Sequence, residues 1–371
     1  MTSLLCSVLL GAVGLAWLPV LSGTSSPRWL AALLVGGAAL LLGPVRMSSG
    51  HWLGLAAVAW AAATAAWSPF PHDVAGGLVP LAALAAAFVL GARDDLDLRP
   101  AWVVLGIAAG VNGAVAAAQL SGLDVLEATR VQAGEPAGMM GNKNFLAHLA
   151  ALSVAALLFQ VGRSRVENVA LACSAATLAI TTSRGAWLAL AVAGAATRIR
   201  RERASWWLLT PLALAAVLLL WADSQVNPAR LAGSLGARID QWDWALTNWS
   251  WVGWGLGSYG SALPWEHAQN ELMEVGFESG VVGVVLVSVF AVHLLRSEPS
   301  AEWAVLACFL VSSATSSVLH QPATAVVAAV VAGRISGSLD RRRLPGPGGG
   351  VHGDLGAAIP RPQHRAEDRW T

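Results

Sequence analysis

Charge is what this chain has least of. Only 12% of its 371 residues are Asp, Glu, Lys or Arg, about half the share usual in soluble domains. That scarcity excludes a disordered chain and a coiled coil, and it argues against an ordinary soluble enzyme. Neither sign dominates. The 23 basic and 22 acidic residues leave a net charge of +1, which lacks the strong basic bias of a nucleic-acid binder. The three cysteines, Cys6, Cys173 and Cys308, all lie in apolar stretches. They have no metal-ligand spacing, so neither a disulfide framework nor a zinc site is indicated. No internal repeat is evident, which weakens an inverted-repeat transporter. There is no P-loop, no HExxH and no Ser-His-Asp signature.

Apolar residues are abundant: 56% of the chain, with a mean hydropathy of +0.59. A helix needs about 20 mainly apolar residues to cross a bilayer. Twelve stretches meet or approach that length: 4–21, 29–45, 51–67, 74–92, 101–120, 144–161, 166–183, 185–199, 206–222, 272–295, 302–318 and 323–338. In hydrocarbon the backbone must satisfy its own polar groups, so helices are the expected form. The 38 glycines suit close helix packing in lipid. Many of the 18 tryptophans stand at the ends of apolar runs, as interfacial anchors do. The first run lacks a basic flank and a clean cleavage site, so it reads as a retained helix. The expectation is an all-α polytopic membrane bundle over 1–338, with a Pro/Gly-rich, disordered cytoplasmic tail over 339–371.

With the N-terminus inside and the helices alternating, 17 of the 23 basic residues fall on the inner side. The outer side holds the other six: Arg28, Arg130, Lys143, Arg184, Arg230 and Arg238. The positive-inside rule favours this topology over its inverse. It leaves two long outer loops, 121–143 and 223–270. The second carries Trp242, Trp244, Trp249, Trp251, Trp254, Tyr259 and Trp265. Loops of this length in a compact protein are usually functional, and a tryptophan-rich one resembles an interfacial element.

The outer basic residues are the first candidates for chemistry. Arg184 sits in Thr181-Thr182-Ser183-Arg184-Gly185-Ala186-Trp187, a tight turn between apolar runs. It reads either as a helix-end anchor whose guanidinium reaches water or as a ligand for an anionic group. Arg238 opens Arg238-Ile239-Asp240-Gln241-Trp242-Asp243. It pairs with a local acid or, with its planar fork, holds a phosphate. His267, beside Glu266 and near Asn270, is a surface polar residue or a proton acceptor. Asn142, Lys143 and Asn144 precede an apolar run, either as a helix cap or as part of an anion site at a helix start. His148, His293 and His320 read as structural. The glycine-rich run 253–260 follows no strand, so it is no nucleotide fingerprint. The outer acids show no ligand clustering along the sequence, so no metal or other cofactor is expected.

Several separated motifs, in order, carry a resemblance. They are Gly141-Asn142-Lys143-Asn144-Phe145-Leu146-Ala147, then Thr182-Ser183-Arg184-Gly185-Ala186-Trp187-Leu188. Arg238 with Trp242 and Gly255-Leu256-Gly257-Ser258-Tyr259 follow, then His267 with Asn270 and Glu278-Ser279-Gly280. Over roughly residues 130–290 the chain resembles the O-antigen ligase and polymerase superfamily of bacterial membrane glycosyltransferases. The resemblance implies an all-helical fold of the polyprenyl-dependent glycosyltransferase type, with no metal or nucleotide. It implies a glycan donor carried on undecaprenyl diphosphate and an acceptor that is lipid A core, another glycan or a protein. It also implies an inner-membrane site facing the periplasm. Arg184 and Arg238 match the arginines that bind the diphosphate, and His267 matches the loop histidine that activates the acceptor hydroxyl. Asn142, Lys143, Asn144, Arg130, Asn270 and Glu278 are expected to bind substrate. At Gln269 the chain departs from the frequent second histidine. A lipid-linked glycan transporter and a non-catalytic scaffold are the alternatives from other classes.

Overall fold

The computed structural model describes residues 1–15, 26–123, 135–202, 228–262 and 270–341. These residues are helical throughout, with no strand among them. The helices are α1 (Thr2–Leu15), α2 (Ser26–Leu40), α3 (Ser49–Ala63), α4 (Pro71–Gly91), α5 (Arg99–Leu120), α6 (Lys143–Leu158) and α7 (Arg165–Thr181). They continue with α8 (Arg184–Glu202), α9 (Pro228–Thr247), α10 (Ser258–Ala262), α11 (Glu271–Leu295), α12 (Ala301–Thr315) and α13 (Pro322–Arg341).

Eleven of the twelve apolar stretches coincide with one of these helices; the twelfth, 206–222, lies outside the described residues. Among the described residues four helical segments are long and apolar enough to cross a membrane: Pro71–Gly91, Arg99–Leu120, Glu271–Leu295 and Pro322–Leu339. At 1.5 Å per residue, the 22 residues of α5 reach about 33 Å, which covers a hydrocarbon core of about 30 Å. The 14 residues of α1 reach only about 21 Å. The all-helical class is therefore observed, while the lengths alone do not give twelve crossings.

Local sequence sets the helix starts. Ser48 caps α3 and Ser164 caps α7, each in a reciprocal capping box, with His51 and Glu167 respectively. Asn142, Asn270 and Ser300 cap α6, α11 and α12. Packing then sorts the helices by depth. Every residue of α6 from Leu146 to Leu157 is buried, and α6 packs against α5, α7, α8, α12 and α13. A helix apolar all round belongs inside. By contrast α11 lies at the rim. Its valines 282, 285, 289 and 292 recur at helical spacing and are 44 to 51% exposed. Such an apolar stripe suits lipid rather than water.

Hydrogen bonds assign the helix ends to two poles. At one pole Arg99 pairs with Glu167 at 2.5 Å. There Arg334 donates to the Arg93 carbonyl at 3.1 Å, and Arg200 donates to the Leu295 carbonyl. At the other pole lie the turns before α6 and α8, the starts of α4 and α11, and the segment 316–321 after α12. Within the expected loop 223–270, of which 228–262 and 270 are described, α9 and α10 form a cap on this second pole. Trp244, Trp254 and Tyr259 gather on Phe277 of α11, with ring centroids 5.4 to 6.2 Å away. The expected tail boundary also moves, because α13 runs on to Arg341.

α11 breaks at Gly280, whose φ of 64° lies in the left-handed region. The break frees carbonyls that hydrocarbon would not tolerate. Trp254 and Gly255 donate their backbone N–H groups to Phe277 and Glu278, both at 2.9 Å, and the Trp60 indole donates to Ser279 at 2.9 Å. The two backbones touch so closely that a Cβ on Gly280 or on Gly253 would sit 2.6 Å from the other residue's nitrogen. The glycine-rich run 253–260 is thus a backbone docking surface that holds the first turns of α11.

Candidate active site

The second pole gathers most of the described candidate residues around the C-terminal end of α12. On one side are the arginines. Arg238, on α9, donates to the Thr315 carbonyl at 3.1 Å. Among the described residues it pairs with neither Asp240 nor Asp243. Burial lowers its guanidinium below the ordinary arginine value. Charge so desolvated interacts more strongly with an anion than charge in water. Arg184 is the first residue of α8 and is partly exposed. Gly185 beside it packs against Thr315 and His148, which brings both arginines to the same helix end.

The turn before Arg184 is fixed from two directions. Thr182 has a φ of 51° and is the single non-glycine residue with positive φ among those described. A β-branched residue there is strained, as residues at functional sites often are. Ser183 then donates to the Asn144 side chain at 3.0 Å. Asn142 accepts from the Asn144 N–H at 2.8 Å, so Asn142 is a helix cap and Asn144 a bridge between α6 and α8. Lys143 is paired with Glu135 at 2.7 Å. Asn270 caps α11 and donates to the Ala314 carbonyl at 3.3 Å, tying α11 to α12. His148 is buried against Ser312 at 2.9 Å, in keeping with a structural role. His267 and Arg130 lie outside the described residues.

On the other side of the same segment opens a cavity of about 520 Å³, lined by Trp29, Asp73, Glu271, Glu274, Glu278 and His320 among others. His320 contacts Glu274 at 2.8 Å and Glu271 at 3.8 Å. Glu271 also accepts from the Leu319 N–H at 2.5 Å, and Glu278 from the Tyr259 N–H at 3.2 Å. Burial disfavours the charged imidazole, but Glu274, Glu271 and Glu278 outweigh it and push His320 up to about 10. His320 was expected to be structural; it instead sits among carboxylates at the cavity wall. The acids that show no clustering in the linear sequence also cluster in space. Ligand atoms of Glu271, Glu274 and His320 lie within 4.8 Å of one another, a geometry that could hold a cation. Linear spacing hides this group because His320 comes from the far side of α12.

An arginine pair by a helix-end turn thus stands next to a polar cavity at one pole of an apolar bundle. Residues 169–288 match the family model described as O-Antigen ligase. The similarity is confined to that segment, about a third of the chain. No curated protein matches the chain. The O-antigen ligase match contains Arg184, Arg238, Asn270 and Glu278, and it ends before His320. It supports an O-antigen ligase-like, glycosyltransferase-like function in general and, with the apolar helices, an integral membrane protein.

Proposed function

We propose that this protein moves a glycan from undecaprenyl diphosphate to an acceptor hydroxyl, in the manner of an O-antigen ligase. The polymerase reaction of the same superfamily uses the same parts. Carrying this reading is the convergence of Arg184 and Arg238 on the α12 terminus, within the segment that matches O-Antigen ligase. In the proposed reaction the acceptor oxygen bonds to the anomeric carbon as the bond to the diphosphate oxygen breaks. Charge builds on the departing undecaprenyl diphosphate. Arg184 and Arg238 stabilise it, a contribution of about 3–4 kcal/mol per well-placed donor. His267 takes the hydroxyl proton. Asn142, Lys143, Asn144, Arg130, Asn270 and Glu278 hold or shape the substrates, and no step is routed through a metal. The reading includes an inner-membrane location with a periplasmic site and both termini cytoplasmic, an orientation that the positive-inside count favours.

The test is transfer from a prenyl-diphosphate-linked glycan by purified protein. Arg184→Ala and Arg238→Ala should each lower transfer by about a hundredfold or more, with the protein still in the membrane. Arg184→Lys should rescue poorly, because an ammonium lacks the bidentate fork. Transfer at the wild-type level by Arg184→Ala would sink the assignment.

A further inference from the structure

The two sides of the α12 terminus have opposite electrostatic character. Arg184 and Arg238 lie on one side. Among the described residues the cavity beside them is lined by four carboxylates, Asp73, Glu271, Glu274 and Glu278, and by one group able to carry positive charge, His320. The carboxylates are held in place rather than left to swing. Asp73 accepts from Ser261, Glu271 from the Leu319 N–H, and Glu278 from the Tyr259 N–H. Among the described lining residues no arginine or lysine answers a diphosphate here, and an anion set beside Asp73 and Glu274 meets like charge, which is unfavourable at a binding surface. Sugar hydroxyls would not. Each donates a hydrogen bond, and carboxylates accept such bonds strongly. Trp29 adds an apolar wall at the same cavity, which suits the C–H face of a sugar ring.

We infer that this acidic cavity is the acceptor half-site, and that it selects a sugar bearing no phosphate or carboxylate. The inference rests on the transferase reading above and adds the acceptor's chemical class. The segment Ala314–His320 borders both halves. Its start is bound by Arg238 and Asn270, and its end by Glu271 and Glu274. The donor's phosphates belong to the basic half and the attacking hydroxyl to the acidic half, so the two reactants meet across one short stretch of chain. Three walls of the acidic half, carrying Trp29, Asp73 and His320, come from outside the segment that matches O-Antigen ligase. Part of the acceptor half-site is thereby encoded outside the matched segment.

The experiment uses full-length protein in lipid nanodiscs with a prenyl-diphosphate-linked glycan as donor. The acceptors are a neutral hexose disaccharide and its phosphate monoester. Transfer gives KM for donor and for each acceptor, and calorimetric titration gives acceptor binding without turnover. The wild type should prefer the neutral acceptor by about tenfold or more. Glu274→Gln and Glu278→Gln, which keep side-chain size, should raise the KM for the neutral acceptor and shrink that preference. Their donor KM should stay unchanged, which also shows that they fold. Equal use of the two acceptors, or a Gln effect on donor KM alone, would overturn the inference and spare the transferase reading. Selective binding of the neutral disaccharide without any transfer would overturn the transferase reading and keep the selective cavity. Absence of both selective binding and transfer would overturn both.

Discussion

His320 shows most clearly how surroundings redefine a side chain. An ordinary histidine titrates near 6.5, but its carboxylate neighbours push this one up to about 10 against the effect of burial. The folded state therefore favours the protonated ring. Stability from that preference is complete below about pH 6.5 and is lost as pH rises through about 10. The groups facing the ring are Glu274 and Glu271, with Glu278 farther off. The thermal midpoint in detergent should accordingly fall between pH 7 and pH 10.5, and His320→Gln should flatten the fall. An equally steep fall in the variant would assign it to another group. Arg238 illustrates the complementary case: its cationic head is partly desolvated and turned away from two nearby acids toward a backbone carbonyl.

At the scale of elements, glycine decides how closely the helices meet. α4 and α13 cross where Gly91 faces the Val330 carbonyl and Gly333 faces the Phe88 carbonyl, and a Cβ at either position would collide with that oxygen. Gly91→Ala and Gly333→Ala should each destabilise by about 1–3 kcal/mol, as overpacking does. The effect should appear as a lower thermal midpoint, with donor and acceptor KM intact in the folded fraction. A midpoint unchanged in both variants would mean that the crossing is looser than drawn. Apolar runs revealed nearly all the described helices because burial and lipid both demand them. They did not reveal α9, whose sequence mixes Arg238, Asp240 and Asp243 with apolar residues and reads as a loop. Nor did they reveal the break at Gly280. A glycine in an apolar run reads as a packing residue until Trp254, Gly255 and Trp60 are seen to cover the freed carbonyls. Arg184 and Arg238 were legible because charge is rare here. The carboxylate cavity was not, because its parts are joined only by the packing of α4, α11 and the segment after α12.

Across the whole molecule, the two poles differ in what they present. One binds its arginines into helix-end carbonyls and Glu167; the other holds the arginine turn, the aromatic cap and the acidic cavity. In a cysteine-free background, Ser261→Cys should react with a membrane-impermeant thiol reagent added from the periplasmic side, and Asp97→Cys should not. The reverse pattern would invert the topology. The family match covers 169–288 and so takes in the arginine turn, the cap and the cavity walls formed by the cap and α11, but not those from Trp29, Asp73 and His320. A further consequence lies in the bond from Arg238 to Thr315. The C-terminal end of a helix carries partial negative charge, so α12 itself occupies this guanidinium with a weak stand-in for an anion. On the proposed reading an incoming phosphate meets a guanidinium already aimed by one bond to a carbonyl, with the remaining N–H donors of its fork to offer. The side chain is ordered before the ligand arrives, so little rotamer freedom is left to lose on binding. A helix terminus used in this way is a permanent bracket that holds the arginine ready between turnovers.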